Sequence, residues 1–153
     1  MDDDKRAELK DAVGKKEGSA AQKSGGIIDI SDKSDIIKIQ QIRDDILSDN
    51  ISKDLNATHQ NRHIKDSKDY IEGRSIFDGT LSDAQELINT HHGTGEIRFS
   101  NAGNWIGKEF ITLDRDIGTH IDDITKVETI TNSFGIHYSK RGAHIVPSRR
   151  KPT

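Results

Sequence analysis

Cysteine is absent from the 153 residues, so the chain has no disulfide, no thiol nucleophile and no thiolate ligand for a metal. No apolar run approaches the roughly 18 residues of a membrane span, and the first residues lack the apolar stretch of a secretory signal peptide. We therefore expect neither membrane association nor classical secretion. The glycine-rich motifs GxxxxGK(S/T) and GxGxxG are also missing, which argues against nucleoside triphosphate chemistry.

Aromatic residues are scarce, and they are confined to one part of the chain. The four Phe, the single Trp and the two Tyr all occur at Tyr70 or later. Apolar residues make up 31% of the chain and charged residues 32%, which is lean for a globular protein. A core of useful size must therefore form in the C-terminal part, and the length suits one domain with some tail.

Charge is divided unevenly along the chain, although the net charge is only −3. Residues 1–50 carry 9 basic and 12 acidic side chains, whereas residues 126–153 carry six basic side chains against Glu128 alone. A basic end on a nearly neutral domain favours a polyanionic partner, and a solvated tail is the alternative.

The first 50 residues are predicted to form a flexible linker followed by one helix. Residues 1–26 are polar and contain four glycines, which is typical of a linker. Ser34 is the predicted N-cap of an amphipathic helix that ends near Asn50. Its apolar stripe comprises Ile36, Ile39, Ile42 and Ile46, widened by Ile37 and Leu47. We assign residues 51–153 to a separate functional domain.

A second helix and a set of short strands are predicted in that domain. Residues 81–91 have helical periodicity, with Ser82 as N-cap, Gln85 at the capping-box position and Gly93 as the stop. Beyond Gly93 the period changes to two, at residues 97–99, 110–113, 127–131, 134–139 and 143–147. Helices followed by strands indicate an α+β fold, with N-terminal helices packed on an antiparallel sheet of four to five strands.

Residues 134–147 carry the densest pattern, and they are predicted to form a β-hairpin with its turn at residues 139–142. Alternation places Phe134, Ile136 and Tyr138 on one face and His137 on the other. His137 and His144 flank the turn at distances that make them candidate cross-strand neighbours. Two imidazoles can act as base and acid near neutral pH, and a nearby cation can hold a phosphate.

RNA cleavage by attack of the 2′-OH requires those groups and no metal, so an endoribonuclease is one interpretation. The alternative is that these histidines are structural residues of a sheet.

His59 and His63 have the minimal spacing of a zinc pair, but Arg62 lies between them and no Glu accompanies them. His91 and His92 suit the end of a helix. We interpret His120 as a loop residue.

Three sequence blocks together resemble the polymorphic toxin type 50 domain of bacterial contact-dependent toxins and phage minor-head proteins. The blocks are residues 59–64 (HQNRHI), Tyr70 with Arg74 and Ser75, and Thr131 with residues 135–147 (GIHYSKRGAHIVP). The resemblance covers residues 55–152. It implies a ribonuclease-type toxin with the barnase/EndoU/colicin/RelE-like fold, in which helices pack on a twisted antiparallel sheet.

The resemblance also implies site residues and partners. The candidate catalytic residues are His63, Arg74, Ser75, Thr131, His137, Ser139, Lys140 and His144. The candidate substrate-binding residues are Tyr138, Arg141, Arg149 and Arg150. We expect His137 and His144 to share the acid and base roles, with His63 as a substitute for either and with Lys140 and Arg74 on the phosphate.

No metal or cofactor is implied. The expected partners are RNA, including tRNA, and a cognate immunity protein. The domain would be the tip of a larger secreted effector or virion protein and would act in the target-cell cytoplasm.

The alternatives are ADP-ribosyl transfer or another toxin chemistry, and a non-catalytic phage-head or nucleic-acid-binding module. ADP-ribosyl transfer is weakened by the lack of a Glu-x-Glu pair.

Overall fold

The structure is a computed structural model that describes residues 33–152. The predicted linker at residues 1–26 lies outside the described residues. The described helices are α1 (Lys33–Leu47), α2 (Ala57–Asn61) and α3 (Leu81–His91). The strands are β1 (Ile76–Phe77), β2 (Glu96–Phe99), β3 (Trp105–Thr112), β4 (Gly118–Ile121), β5 (Glu128–Thr131), β6 (Ser133–Ser139) and β7 (Gly142–Ser148).

The strands form two antiparallel sheets, and this confirms the α+β fold class. The larger sheet has the order β2-β3-β6-β7, and the smaller has the order β1-β4-β5. The division into two sheets was not predicted, because β1 and β4 have only two and four residues and lack clear alternation. His120 lies in β4, so its interpretation as a loop residue is wrong.

The core lies between the helices and one face of the larger sheet. Ile42 and Ile46 of α1 join Leu87 and Ile88 of α3 in the same buried cluster as the inward residues of β6. Those inward residues are Phe134, Ile136 and Tyr138, as the alternation predicts. Because Ile42 and Ile46 are buried in this cluster, one face of α1 belongs to the same core as the sheet. The opposite face of β6 and β7 is left for polar side chains.

The buried face of α1 differs from the predicted stripe. Ile36, Ile37 and Leu47 are 50–60% exposed, whereas Lys38 is buried. The Lys38 ammonium lies 4.4 Å from the centroid of the Phe99 ring, and this cation–π contact turns the polar position inward. Ser34 lies inside the described helix and is not its N-cap.

The start of α3 is also shifted from its predicted cap. Thr80, not Ser82, is the N-cap, and its hydroxyl accepts a hydrogen bond from the backbone NH of Asp83. The Asp83 carboxylate accepts one from the Thr80 NH, which completes a capping box. Gly93 follows the helix with φ +87°, a left-handed conformation that favours glycine.

Candidate active site

A row of three basic side chains crosses the larger sheet on its polar face. Lys108 of β3 is paired with His137 of β6, and His137 is paired with His144 of β7. The predicted hairpin is therefore confirmed, with its turn at Lys140 and Arg141 between the paired residues Ser139 and Gly142. Directly paired side chains point to the same face of a sheet, so all three basic groups face one region of space.

Four imidazoles converge at this row, with His144 at the centre. The centroid of its ring lies 5.0 Å from that of His137, 5.3 Å from that of His59 and 5.7 Å from that of His63. Rings at these distances are in direct contact. His59 and His63 reach the cluster from α2 and the turn that follows it.

The segment that carries His59 and His63 is held along the free edge of β7. Leu55 forms a parallel bridge with Ala143, and the buried Gln60 side chain then continues the pairing. Its Nε2 donates to the Ile145 carbonyl over 3.0 Å, and its Oε1 accepts from the Ile145 NH over 2.7 Å. Because Ala143 and Ile145 flank His144, these bonds fix α2 beside that histidine.

His63 is buried, and its tautomer is set by one hydrogen bond. Its Nδ1 lies 2.9 Å from the carbonyl oxygen of Ser75. A carbonyl only accepts, so Nδ1 carries the proton and the neutral ring has its lone pair on Nε2. The Ser75 hydroxyl accepts a hydrogen bond from the Ile121 NH over 3.0 Å and lies 3.5 Å from Nδ1 of His120. Ser75 therefore links two parts of the site. Its carbonyl bonds to His63, and its hydroxyl contacts β4, the strand that carries His120.

The three inner histidines are held in the neutral state. Burial, with His144, Lys108 and His63 nearby, lowers the pKa of His137 to about 2. Burial, with the neighbouring basic groups, lowers the pKa of His144 to about 3. Burial also lowers the pKa of His63, helped by nearby Arg74, against the raising effect of the Ser75 hydrogen bond. The causes are desolvation and a surplus of positive groups, both of which disfavour the imidazolium.

A cleft of about 470 Å³ lies over this face of the sheet. Two cross-strand rows supply its floor, Lys108–His137–His144 and Phe110–Gly135–Val146. The walls include His63, Arg74, Ser75, His120 and Asp123. A methyl group at Gly135 would lie 3.3 Å from the His137 ring, so the glycine leaves room for that imidazole.

Several polar side chains of the cleft have no partner in the part of the chain that the structure describes. Among residues 33–152, the Lys108 ammonium and the Arg74 guanidinium form no ion pair or hydrogen bond. The ring nitrogens of His137 and His144 also form no hydrogen bond to any described residue. Unpaired cations beside neutral imidazoles form a setting that favours an anionic ligand.

The structure brings five of the eight candidate catalytic residues together, and Thr131 is not among them. His63, Arg74, Ser75, His137 and His144 line the cleft. Thr131 is buried in the sheet, where its hydroxyl donates to the Ser148 carbonyl over 2.6 Å.

Ser139 and Lys140 lie at the end of the hairpin. The Ser139 hydroxyl donates to the Gly142 carbonyl over 2.8 Å, which stabilises the turn. Lys140 is exposed at the tip and does not line the cleft. Lys140 lies outside the cleft because it falls in the turn and not on the strand face that carries His137.

The four candidate substrate-binding residues also lie outside the cleft. Tyr138 points into the core, and its hydroxyl donates to the buried Glu109 carboxylate over 2.7 Å. Arg141 is exposed at the hairpin tip. Arg149 and Arg150 line a neighbouring cleft, where they pair with Asp122 and Asp116 at 3.3 and 2.5 Å.

Three residues of the site were missed or interpreted otherwise. Lys108 lacks any local signal, because one lysine in a strand is ordinary, and only the register with His137 reveals it. His120 lines the cleft from a strand that was not predicted. His59, considered only as half of a zinc pair, joins the cluster through its ring contact with His144. The described residues contain no group of three or more His, Asp or Glu arranged to hold a metal ion.

Comparison with known proteins identifies the family. A search of curated proteins found no match. No helix within residues 33–152 is long and apolar enough to cross a membrane. The family model described as bacterial toxin 50 matches residues 55–147, which include the histidine cluster and the whole hairpin. Because the match covers more than half of the chain, the resemblance is confirmed and this chain belongs to the bacterial toxin 50 family.

Proposed function

We propose that this toxin domain is a metal-independent endoribonuclease that cleaves RNA by attack of a ribose 2′-OH on the adjacent phosphorus. The observation that carries the proposal is the row of Lys108, His137 and His144, whose polar groups have no hydrogen-bonding or ion-pairing partner within the described chain. This reaction requires a base, an acid and a cation at the phosphate, and the row offers all three.

In this proposal, Arg74 and Lys108 bind the scissile phosphate from two sides of the cleft. Lys108 takes the role that the sequence suggested for Lys140, because Lys108 lines the cleft and Lys140 does not. Two cations at the phosphate oppose the negative charge that accumulates on its oxygens during attack.

One of His137 and His144 accepts the proton of the 2′-OH as the O2′–P bond forms. A second protonated group gives a proton to the 5′-oxygen as the P–O5′ bond breaks. The products are a 2′,3′-cyclic phosphate and a free 5′-OH, and no water is consumed. A base must be neutral, and the lowered pKa of both imidazoles keeps them so at pH 7.

The acid must instead be protonated, and we expect binding of the substrate to cause that protonation. A phosphate anion beside the imidazoles replaces part of their lost solvation and raises their pKa. One imidazole then takes up a proton when RNA binds, and it holds that proton for the leaving oxygen. His63 can substitute for either partner, since its ring stacks on that of His144.

We further propose delivery into a target cell as part of a larger protein, and neutralisation by an immunity protein. The cations of the cleft favour an acidic immunity surface, which would speed association and block the phosphate site at once. An immunity complex that leaves the cleft open, with RNA still bound, would show that inhibition uses another route.

The test of the proposed function is digestion of total RNA and tRNA by the purified protein with and without EDTA. We expect discrete fragments in both conditions. His144→Ala should reduce the rate at least about a hundredfold, as for loss of a positioned acid or base. His92→Ala is the matched control, because His92 ends α3 and does not line the cleft. Intact RNA with the wild-type protein would contradict the proposal and favour another toxin chemistry or a binding module.

A further inference from the structure

A second cleft of about 280 Å³ lies beside the first, and His120 lines both. The other lining residues are Asp122, Thr125, Val127, Thr129, Arg149 and Arg150. We propose that this second cleft binds the next nucleotide along the RNA substrate, one beyond the two that flank the scissile phosphate. The inference rests on the proposed function and adds to it the direction in which the substrate strand leaves the histidine cluster.

The size and continuity of the second cleft suit one nucleotide. Its volume is close to the lower limit of roughly 300 Å³ for small-ligand sites, so it has room for one nucleoside phosphate. Because His120 lines both clefts, a strand that leaves the first passes directly into the second.

The charges of the second cleft favour a phosphodiester. Arg149 has 81% of its side chain exposed, and its ion pair with Asp122 is 3.3 Å long. Arg150 is half exposed and pairs with Asp116. Ion pairs this exposed contribute at most about 1 kcal/mol. A phosphate group can therefore replace the carboxylate at Arg149 without a large cost, and Arg is well suited to bind it in a bidentate manner.

Groups suited to a base and a ribose lie on the same face. Thr129 of β5 is paired with His120 of β4, and Val127, which precedes β5, lines the same cleft. Val127 is 59% exposed, so it offers an apolar surface to a base. Nε2 of His120 is buried and has no hydrogen-bond partner among residues 33–152. A polar group of a bound nucleotide would satisfy that nitrogen, which is otherwise costly to bury.

The experiment compares a dinucleotide with a pentanucleotide that contains the same cleavage site. Only the longer substrate reaches the second cleft, so Arg149→Ala should lower kcat/KM for the pentanucleotide by about five- to tenfold. It should change kcat/KM for the dinucleotide by less than about twofold. Thr129→Val, which replaces the hydroxyl with a methyl group of similar size, should show the same length dependence with a smaller loss. The matched control is Arg115→Ala, because Arg115 lines a separate cleft that shares no residue with these two.

Equal losses with both substrates, or no loss with either, would overturn the inference and leave the proposed function intact. If the wild-type protein cleaves neither RNA, the proposed function fails and binding decides the inference separately. The probe is then a pentanucleotide with 2′-O-methyl groups, measured by fluorescence anisotropy over a range of salt. Arg149→Ala should weaken its binding and reduce the salt slope by about one, as for one lost phosphate contact. Unchanged affinity and slope would contradict the second cleft as a nucleotide site.

Discussion

Lys108 and His137 are directly paired across the larger sheet, and this pair places an amino group beside an imidazole that forms no hydrogen bond to any described residue. The arrangement adds to burial and to the neighbouring His144 in lowering the pKa of His137. A structural histidine in a sheet gains stability from a hydrogen-bond acceptor or a carboxylate partner. His137 instead lies beside a lysine, and a positive group next to a neutral imidazole favours an anionic ligand.

Removal of that lysine should raise the pKa of His137. We expect Lys108→Met to shift the pKa upward while leaving it below 6.5, because burial and His144 still lower it. NMR titration of the His137 ring measures the shift directly. Lys68→Met is the control for loss of a lysine, since Lys68 is exposed in the loop before Tyr70. An unchanged pKa would show that Lys108 does not act on this ring.

Bound phosphate should also raise the pKa of His137 in the wild-type protein. Binding of inorganic phosphate or of a 2′-O-methyl oligonucleotide is expected to raise the pKa of His137 and of His144, because an anion stabilises the imidazolium. The measurement is the same NMR titration with and without the anion, supplemented by proton uptake in calorimetry. Arg74→Ala should weaken the response, since Arg74 lines the cleft and is proposed to hold the phosphate. A downward shift, or none, would contradict the proposed source of the catalytic proton.

Acid should destabilise the protein through the same histidines. Their pKa in the folded state lies below the unfolded value of 6.5, so the unfolded chain binds more protons as the pH falls. Their contribution to stability is complete above about pH 6.5 and is lost progressively below it. Between pH 7 and pH 5 the loss is about 1–2 kcal/mol for each of His137 and His144. Urea unfolding at the two pH values measures it.

The matched variant for this prediction is the double substitution His137→Gln and His144→Gln. Carboxylates also titrate in acid, but they are the same in both proteins, so the difference between the two pH dependences isolates the histidines. The double variant should lose less stability between pH 7 and pH 5 than the wild type. An identical loss would mean that the two imidazoles already titrate normally in the folded protein.

Gln60 should matter for stability and for the shape of the site. Gln60→Ala leaves a buried NH and a buried carbonyl of Ile145 without partners, so we expect a loss of about 2–4 kcal/mol. Urea unfolding measures the loss. The control is Gln40→Ala, because the Gln40 side chain is exposed and bonds only to Asp44. A loss as small as that of the control would show that water replaces the amide.

Substitution of Tyr138 tests whether this residue is structural or binds substrate. Tyr138→Phe removes the hydroxyl that donates to the buried Glu109 carboxylate, so we expect a stability loss of about 1–3 kcal/mol. The cleavage rate per folded molecule should be unchanged, because the side chain lies in the core and His137 lies on the opposite face. Parallel urea unfolding and RNA digestion separate the two effects. A loss of rate without a loss of stability would return Tyr138 to the site.

The hairpin was predictable because its information is local. Alternation fixes which side chains of residues 134–147 share a face, and the two-residue turn at Lys140 and Arg141 fixes the register that pairs His137 with His144. The fold class was predictable for the same reason, because the period of the apolar residues and the positions of the glycines are also local features of the sequence. The sequence points to Lys140 for the phosphate because Lys140 is near the histidines in sequence. It gives no sign of Lys108, which is near them only through β-sheet pairing.

The other differences arise from tertiary contacts that compete with local preferences. Lys38 of α1 is buried against Phe99 and donates a hydrogen bond to the Gly103 carbonyl, and nothing within α1 reveals these distant contacts. β1 and β4 are too short to show a period and exist because they pair with each other. The positions of His59 and His63 depend on the bonds between Gln60 and Ile145, which are 85 residues apart in sequence.

The most direct measurement of the central claim uses one RNA oligonucleotide that contains the cleavage site found in total RNA. A copy with a single 2′-O-methyl group on the nucleotide 5′ to the cut should resist cleavage at that bond, because its blocked oxygen cannot attack. The unmodified copy should give a 2′,3′-cyclic phosphate and a 5′-OH, identified by mass spectrometry. Cleavage of the methylated copy at an undiminished rate would contradict the account, and it would mean that water, not the ribose, attacks the phosphorus.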